Sequence, residues 1–249
     1  DYSTSRGHKA IPTRGPEAAL TVAGAVAGWH KALEVSKQQL GGSLSVDRLL
    51  ADAEFLAQDG FAVPGTLHAN LVAKRSQLEP IPHFVDTYFQ DGHPAPVGSR
   101  LKLPALAASL RHLRRAGLAD FYRGTLARRI VADLERAGSP VAAQDLEQCS
   151  ARLVKPLALP VAGATVYNLP PPTQGLASLL ILGILDRLPV TGPFDHFPTV
   201  HSIVEATKAA FRIRDRHITD PKYMRTDAES FLLPESLDRL AASVSPSTA

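Results

Sequence analysis

The chain has 249 residues, 45% of them hydrophobic, with 27 Lys and Arg against 24 Asp and Glu and a net charge of +3. That balance falls short of a nucleic-acid footprint, which needs a basic stripe. Cys149, the only cysteine, excludes an intramolecular disulfide framework and any zinc site built on two cysteines. The longest apolar run, Leu176 to Leu185, is far short of the roughly 18–20 residues that span a bilayer, so neither nucleic acid nor membrane is an expected partner.

In chain order, Gly28-Trp29 opens a helical stretch to about Gln39, which Gly41-Gly42 stops. Asp47 to Gln58 is helical, with Leu49, Leu50, Ala53 and Leu56 on its apolar face, and Gly65 to Gln77 forms another helix. Glu79 to Arg100, rich in Pro, Gly, His and aromatics, is expected to be a long ordered loop. Pro104 to Arg115 reads as an amphipathic helix with Leu106, Leu110 and Leu113 as its stripe. Arg123 to Ala137 follows with Leu126, Ile130 and Leu134, and Asp145-Leu146 opens a short turn. The arginines of this region (Arg111, Arg114, Arg115, Arg123, Arg128, Arg129) alternate with leucines and read as solvated helix faces. Arg152 to Leu169 is a pair of strands about Ala162-Gly163. Thr173 caps a helix from Gly175 to Arg187 that is apolar nearly all round and therefore buried. Helices over Val200 to Arg216 and Leu232 to Ser243 complete the chain.

Chemistry is sparse on this scaffold. There is no GxGxxG, no P-loop and no G-x-S-x-G elbow. His201 and Glu205 stand at i, i+4 without a third ligand, so they read as a core-edge histidine with an intrahelical glutamate. Arg214-Asp215-Arg216 and Asp220 predict one or two buried ion pairs. Cys149 has no neighbouring histidine. No nucleophile with its base emerges, no metal ligand set forms, and no cofactor is implied.

Six segments together resemble the gamma-glutamyltransferase family of N-terminal-nucleophile hydrolases. Thr21 to Trp29 is similar to its V-P-G-x-x-x-G-[WL] stretch, with Ala23 where proline is usual. Ala51 to Val63 resembles A-x-x-x-A-x-x-G-F-x-V. Leu103 to Leu110, with Gly117 and Phe121-Tyr122-Arg123-Gly124, resembles the P-x-L-A-x-T-L…G…F-Y-x-G pair. Asp145-Leu146 matches a D-L pair, and Leu169 to Gly175 resembles P-P-P-S-S-G-G. Val204 to Phe211, with Arg214-Asp215 and Asp220-Pro221, resembles E-A-x-K-x-A-F-x-D-R…D-P, with Arg and Asp in swapped order.

The resemblance implies an α+β fold, the αββα sandwich of these hydrolases, to which this chain contributes mainly helices and a β-hairpin. It implies that residues 1–249 are a large subunit without an internal boundary, completed by a small subunit from the same self-cleaving precursor. The nucleophile is then the N-terminal threonine of that small subunit, with its own amine as base, so no catalytic residue is expected in this chain. Thr248 lacks the T-x-H-x-x-V-x-D context of that threonine. A dimer of heterodimers is compatible with this, as is either a cytoplasmic or an exported location. Because its apolar helix Gly175 to Arg187 would lack a covering layer, the chain alone is expected to be insoluble or molten.

The family's D-x-R-E-x-A-P motif, whose arginine binds the substrate α-carboxylate, falls on Asp1 to Gly7. Registered on Asp1, it puts Ser3 at the arginine and Thr4 at the glutamate, so Ser3, Thr4 and Arg6 are the candidate substrate-binding residues. Serine cannot make arginine's bidentate pair with a carboxylate. Either Arg6 reaches in instead, or the small-molecule substrate is not a gamma-glutamyl compound. The alternatives in view are a gamma-glutamyltransferase-like enzyme, an antibiotic-pathway relative acting on another acyl group or a C–C bond, and a non-catalytic scaffold.

Overall fold

The structure, a computed structural model, describes residues 2–189 and 192–245; Asp1 and Thr248 lie outside them. The chain folds as two compact units, 1–152 and 153–249, a division at which the sequence sets no boundary. Each is described by itself.

The first unit is helical, with two small antiparallel ladders. Its elements are α1 (Tyr2–Ser5), α2 (Ala25–Gln39), α3 (Val46–Asp59), β1 (Phe61–Ala62), α4 (Gly65–Ala73), α5 (Arg75–Leu78), α6 (Phe84–Tyr88), β2 (Phe89–Gln90), β3 (His93–Pro94), β4 (Arg100–Leu101), α7 (Pro104–Ala116), α8 (Asp120–Arg123), α9 (Thr125–Ala137) and α10 (Ala143–Gln148). Ser45 caps α3, its Oγ accepting from Arg48 N at 3.2 Å. Glycines at positive φ (Gly41, Gly60, Gly117, Gly138) follow the ends of α2, α3, α7 and α9.

The packing of α3 differs from the periodicity. Leu49 and Leu56 are exposed, and the buried residues are Glu54 and Ala57, on the helix that packs against α7. On α7, Leu106 is likewise exposed, while Ala107 and Leu113 are buried. The expected helix from Arg123 is split, because Gly124 interrupts it. The expected loop from Glu79 to Arg100 carries α6 and a tight hairpin, Phe89 pairing with Pro94 and Gln90 with His93, while Phe61 pairs with the distant Leu101. Val26, Leu113, Leu118, Tyr122 and Leu126 form the main core here.

The second unit holds β5 (Leu157–Val161), β6 (Ala164–Asn168), α11 (Gly175–Leu185), α12 (Phe197–His217) and α13 (Pro234–Ala242). The hairpin forms at the expected turn, Ala162 and Gly163 both having positive φ, in the register Leu157↔Asn168 to Val161↔Ala164. Thr173 Oγ1 accepts from Gly175 N at 3.1 Å at the start of α11.

Leu179, Leu180 and Ile184 of α11 are 0% exposed. They pack with Leu157 and Leu159 of the hairpin, Ala206, Ala209 and Ala210 of α12, and Leu237 of α13. Each such leucine contributes about 2 kcal/mol of burial. The expectation that α11 lacks a covering layer is thus corrected: the hairpin, α12 and α13 cover it. Exposed apolar residues of α12 include Phe197, Val200, Val204 and Phe211.

Candidate functional site

The candidate residues Ser3, Thr4 and Arg6 lie on and just after α1. Gly7, at φ 81°, reverses the chain there. The Arg6 and His8 backbone N–H groups both return to Ser3 O, at 3.2 and 3.0 Å, and Gly7 N bonds Thr4 O at 3.0 Å. Ser3 is half-buried and Thr4 exposed.

Arg6 turns back onto Glu17, its Nη1 donating to Oε1 at 2.8 Å. Glu17 sits in a 3-10 turn, Pro16–Ala18, that follows Gly15 at φ 89°. Its second oxygen, Oε2, lies 2.5 Å from His8 Nε2. Hydrogen bonds from His8 and then from Arg6 hold the Glu17 carboxyl below the usual carboxylate range. The Arg6 guanidinium lies 4.8 Å from the centroid of the Tyr2 ring, and Tyr2 Oη donates to Gly138 O at 2.5 Å.

The fold therefore brings Arg6 together with Tyr2, His8 and Glu17, and leaves Thr4 outside that cluster. Sequence reasoning missed these three companions. Tyr2 stands at i, i+4 from Arg6, a helical spacing that pairs them locally, whereas no periodicity links Arg6 to His8 or Glu17.

The other charged constellations prove to be scaffold. Arg111 Nε donates to Glu54 Oε1 at 2.7 Å, Arg114 Nη1 to Glu54 Oε2 at 2.5 Å, and Arg114 Nη2 lies 2.9 Å from Asp47 Oδ1. Arg111 and Arg114 are thus interhelical ties rather than solvated faces. Burial acts to raise the Glu54 pKa, and the bonds from Arg114 and Arg111 outweigh it, so the carboxyl stays below its ordinary range.

Asp120 accepts from Leu126 N at 2.7 Å, Thr125 N at 3.0 Å and His112 Nε2 at 2.7 Å, capping α9 from the turn before it. An added Cβ at Gly124 would lie 1.8 Å from Asp120 Oδ2, so this cap requires glycine. His201 Nε2 bonds Ser245 O at 2.8 Å, and Glu205 takes Lys208 Nζ at 2.8 Å. The expected buried pair at Arg214 is instead exposed: it bonds Asp215, whose side chain is 66% accessible. Among the described residues no group of three or more His, Cys, Asp or Glu could hold a metal ion, and no helix is long and apolar enough to cross a membrane.

Residues 1–249 match the family model described as Gamma-glutamyltranspeptidase. The chain belongs to this family. It is 46% identical over 243 residues to a Klebsiella pneumoniae protein named oxamate amidohydrolase proenzyme, covering 98% of this chain and 46% of that one. It superposes on the cephalosporin acylase from Bacillus halodurans with a TM-score of 0.85 at 25% identity, covering 98% of this chain and 46% of that chain. With Helicobacter pylori gamma-glutamyltranspeptidase the TM-score is 0.82 at 20% identity, covering 92% and 65%. The chain thus spans about half the length of the curated relative.

The fold is the α+β fold of the N-terminal-nucleophile hydrolases, represented here by helices, a hairpin and two shorter ladders. Within the family-like segments, Tyr122, Asp145 and Gly175 hold the scaffold. Tyr122 of Phe121-Tyr122-Arg123-Gly124 donates to Ala23 O at 2.7 Å and accepts from Ala27 N at 2.9 Å, pinning the Thr21 to Trp29 segment. Asp145 Oδ2 accepts from Ala142 N at 2.9 Å and so closes the start of α10. Gly175 starts α11 so close to Leu169 O that a Cβ would lie 2.0 Å from it.

Proposed function

We propose that this chain is the large-subunit part of a self-processed amidohydrolase that cleaves a small amide of the oxamate class rather than a gamma-glutamyl compound. The observation that carries this reading is the 46% identity over nearly the whole chain to a protein named for oxamate hydrolysis. Ser3 in α1 agrees with it. Where the family motif presents an arginine to a glutamyl α-carboxylate, this chain presents a hydroxymethyl group, and Arg6, three residues on, is engaged by Glu17.

In this reading residues 1–249 form one catalytic domain with a separate small subunit. The small subunit's N-terminal threonine attacks the amide carbonyl and its free amine takes the hydroxyl proton. Preorganised donors stabilise the tetrahedral oxyanion, and ammonia leaves. Water then releases the acyl group, so that oxamate and water yield oxalate and ammonium. The chain's own residues would bind and orient the substrate.

The test is turnover by the processed protein. Hydrolysis of oxamate with negligible turnover of a gamma-glutamyl anilide is expected, and robust anilide turnover overturns the reading. A residue other than Thr, Ser or Cys at the small subunit's N-terminus would instead mark a non-catalytic scaffold.

A further inference from the structure

A cavity of about 270 Å³ opens in the first unit between α8, α9 and α10. Four charged residues line it: Arg123 of α8, Arg128 and Glu135 of α9, and Glu147 of α10. Helical spacing makes Arg123 and Arg128 look like solvated faces, but the fold sets both on the wall of one cavity.

Other arginines of this unit meet carboxylates: Arg6 meets Glu17, Arg111 and Arg114 meet Glu54, and Arg136 meets Asp133. Arg123 and Arg128 do not. Arg123 Nη2 donates to the backbone oxygen of Glu147 at 2.6 Å, and Arg128 Nη2 to Thr125 Oγ1 at 2.9 Å. Both acceptors are uncharged, so neither neutralises a guanidinium, and each leaves further donors of its five-donor fork open. Glu135 and Glu147 are also without a cation, since among the described residues none of the four joins an ion pair.

Uncompensated charges of both signs around one cavity call for a ligand that carries both signs. A simple anion would meet two unpaired carboxylates as well as the arginines, and a simple cation two unpaired guanidiniums. We propose that the cavity binds a small linear zwitterion of the ω-amino acid class, its carboxylate held by Arg123 and Arg128 and its ammonium by Glu135.

The layout of α9 sets the length of that ligand. Arg128 and Glu135 are seven residues apart, about 10 Å along the axis at 1.5 Å per residue. Thr125 draws Arg128 toward the start of α9, the end at which α8 delivers Arg123. The positive end therefore lies at the start of the helix and Glu135 toward the other end. Between them the cavity is lined by Val131 and Leu146, apolar side chains that suit methylenes. An α-amino acid carries both charges at one end and cannot span this gap, whereas an ω-amino acid separates them by its chain. The volume lies just under the roughly 300–1,000 Å³ of small-molecule sites, which keeps the ligand small.

The positive end is also held in place before any ligand arrives. On one side of Arg123, Tyr122 is tied to Ala23 O and Ala27 N. On the other, Gly124 lies so close to Asp120 that no side chain fits there. The backbone carrying the guanidinium is thus fixed, which lowers the cost of ordering it on binding.

The experiment titrates 6-aminohexanoate into the processed protein by calorimetry, with hexanoate, hexylamine and glycine as comparison probes. Binding is measured without turnover, so the outcome does not depend on the reaction catalysed. Saturable binding of 6-aminohexanoate is expected, with each comparison probe about tenfold weaker or more. R128A and E135Q should each weaken 6-aminohexanoate about tenfold. Both side chains are exposed, so thermal melts should match the wild type. E135Q should in addition abolish the preference for 6-aminohexanoate over hexanoate, which a merely structural role would not do. Absence of saturable 6-aminohexanoate binding overturns the proposal. So does equal binding of hexanoate by the wild type, or an unchanged affinity in folded R128A and E135Q.

Discussion

Glu54 is a buried carboxylate between two guanidiniums, and its neighbours decide how it behaves. Removing it leaves Arg111 and Arg114 facing α3 without their counter-charge, which is costlier than losing an exposed pair. E54Q is expected to lower the melting temperature by about 3 °C or more, whereas D47N, on the exposed limb of the same network, should change it by less. The direction with pH follows from the lowered carboxyl pKa of Glu54. A group depressed in the folded state contributes stability above its unfolded pKa and loses it as pH falls through the folded value. Melting temperature should therefore fall more steeply below the ordinary carboxylate range in the wild type than in E54Q, and acid titration of Tm checks it. The sequence displayed the arginines but not this role, because helical spacing shows which residues share a face and not which distant residues meet that face. Here the partner carboxylate lies 57 and 60 positions away in the chain. The same holds for Arg6: its partner Glu17, eleven positions on, meets it only through two glycine reversals at Gly7 and Gly15.

At the level of elements, glycine positions and apolar runs determined what could be read. The turn at Ala162-Gly163, the stops after α2, α3, α7 and α9, and the buried α11 all follow from local conformational preference or continuous apolarity. The ladder between Phe61 and Leu101 and the hairpin at Phe89 to Pro94 do not, since strands of two residues carry no alternation and their pairing depends on tertiary packing. The expected stripes of α3 and α7 are covered only in part for a related reason: Leu50 and Leu113 pack in the core, while exposed Leu49, Leu56 and Leu106 obey the period equally well. These elements give two graded expectations. Capping loss in D120A, which removes the acceptor for Thr125 N, Leu126 N and His112, should cost about 1–2 kcal/mol in denaturant unfolding. G175A should cost about 3 kcal/mol, because its methyl group would meet the Leu169 carbonyl oxygen and neither backbone segment can yield easily. L180A, fully buried, belongs in the same range at about 2–5 kcal/mol. L182A on the exposed side of the same helix should lie well below both.

For the whole molecule, the informative surface is on α12. Ala206, Ala209 and Ala210 are buried in the second unit's core, while Phe197, Val200, Val204 and Phe211 are exposed along another face. A helix apolar on two faces calls for cover on both, and only one is covered within the described residues of its own unit. Contiguous apolar patches of this kind promote association. The chain expressed alone is therefore expected to bind the hydrophobic dye ANS and to self-associate while keeping a formed α11 core, which differs from a molten state in retaining near-ultraviolet circular dichroism. The double substitution Val200→Lys with Val204→Lys should reduce dye binding and shift sedimentation toward the monomer. Helical content should hold, since both side chains lie outside the core. Loss of near-ultraviolet signal in the unsubstituted chain would instead mean that the hairpin, α12 and α13 do not suffice to hold α11. Unchanged dye binding in the double variant would place the sticky surface elsewhere, the exposed Phe55 and Leu56 of α3 being the next apolar pair to substitute.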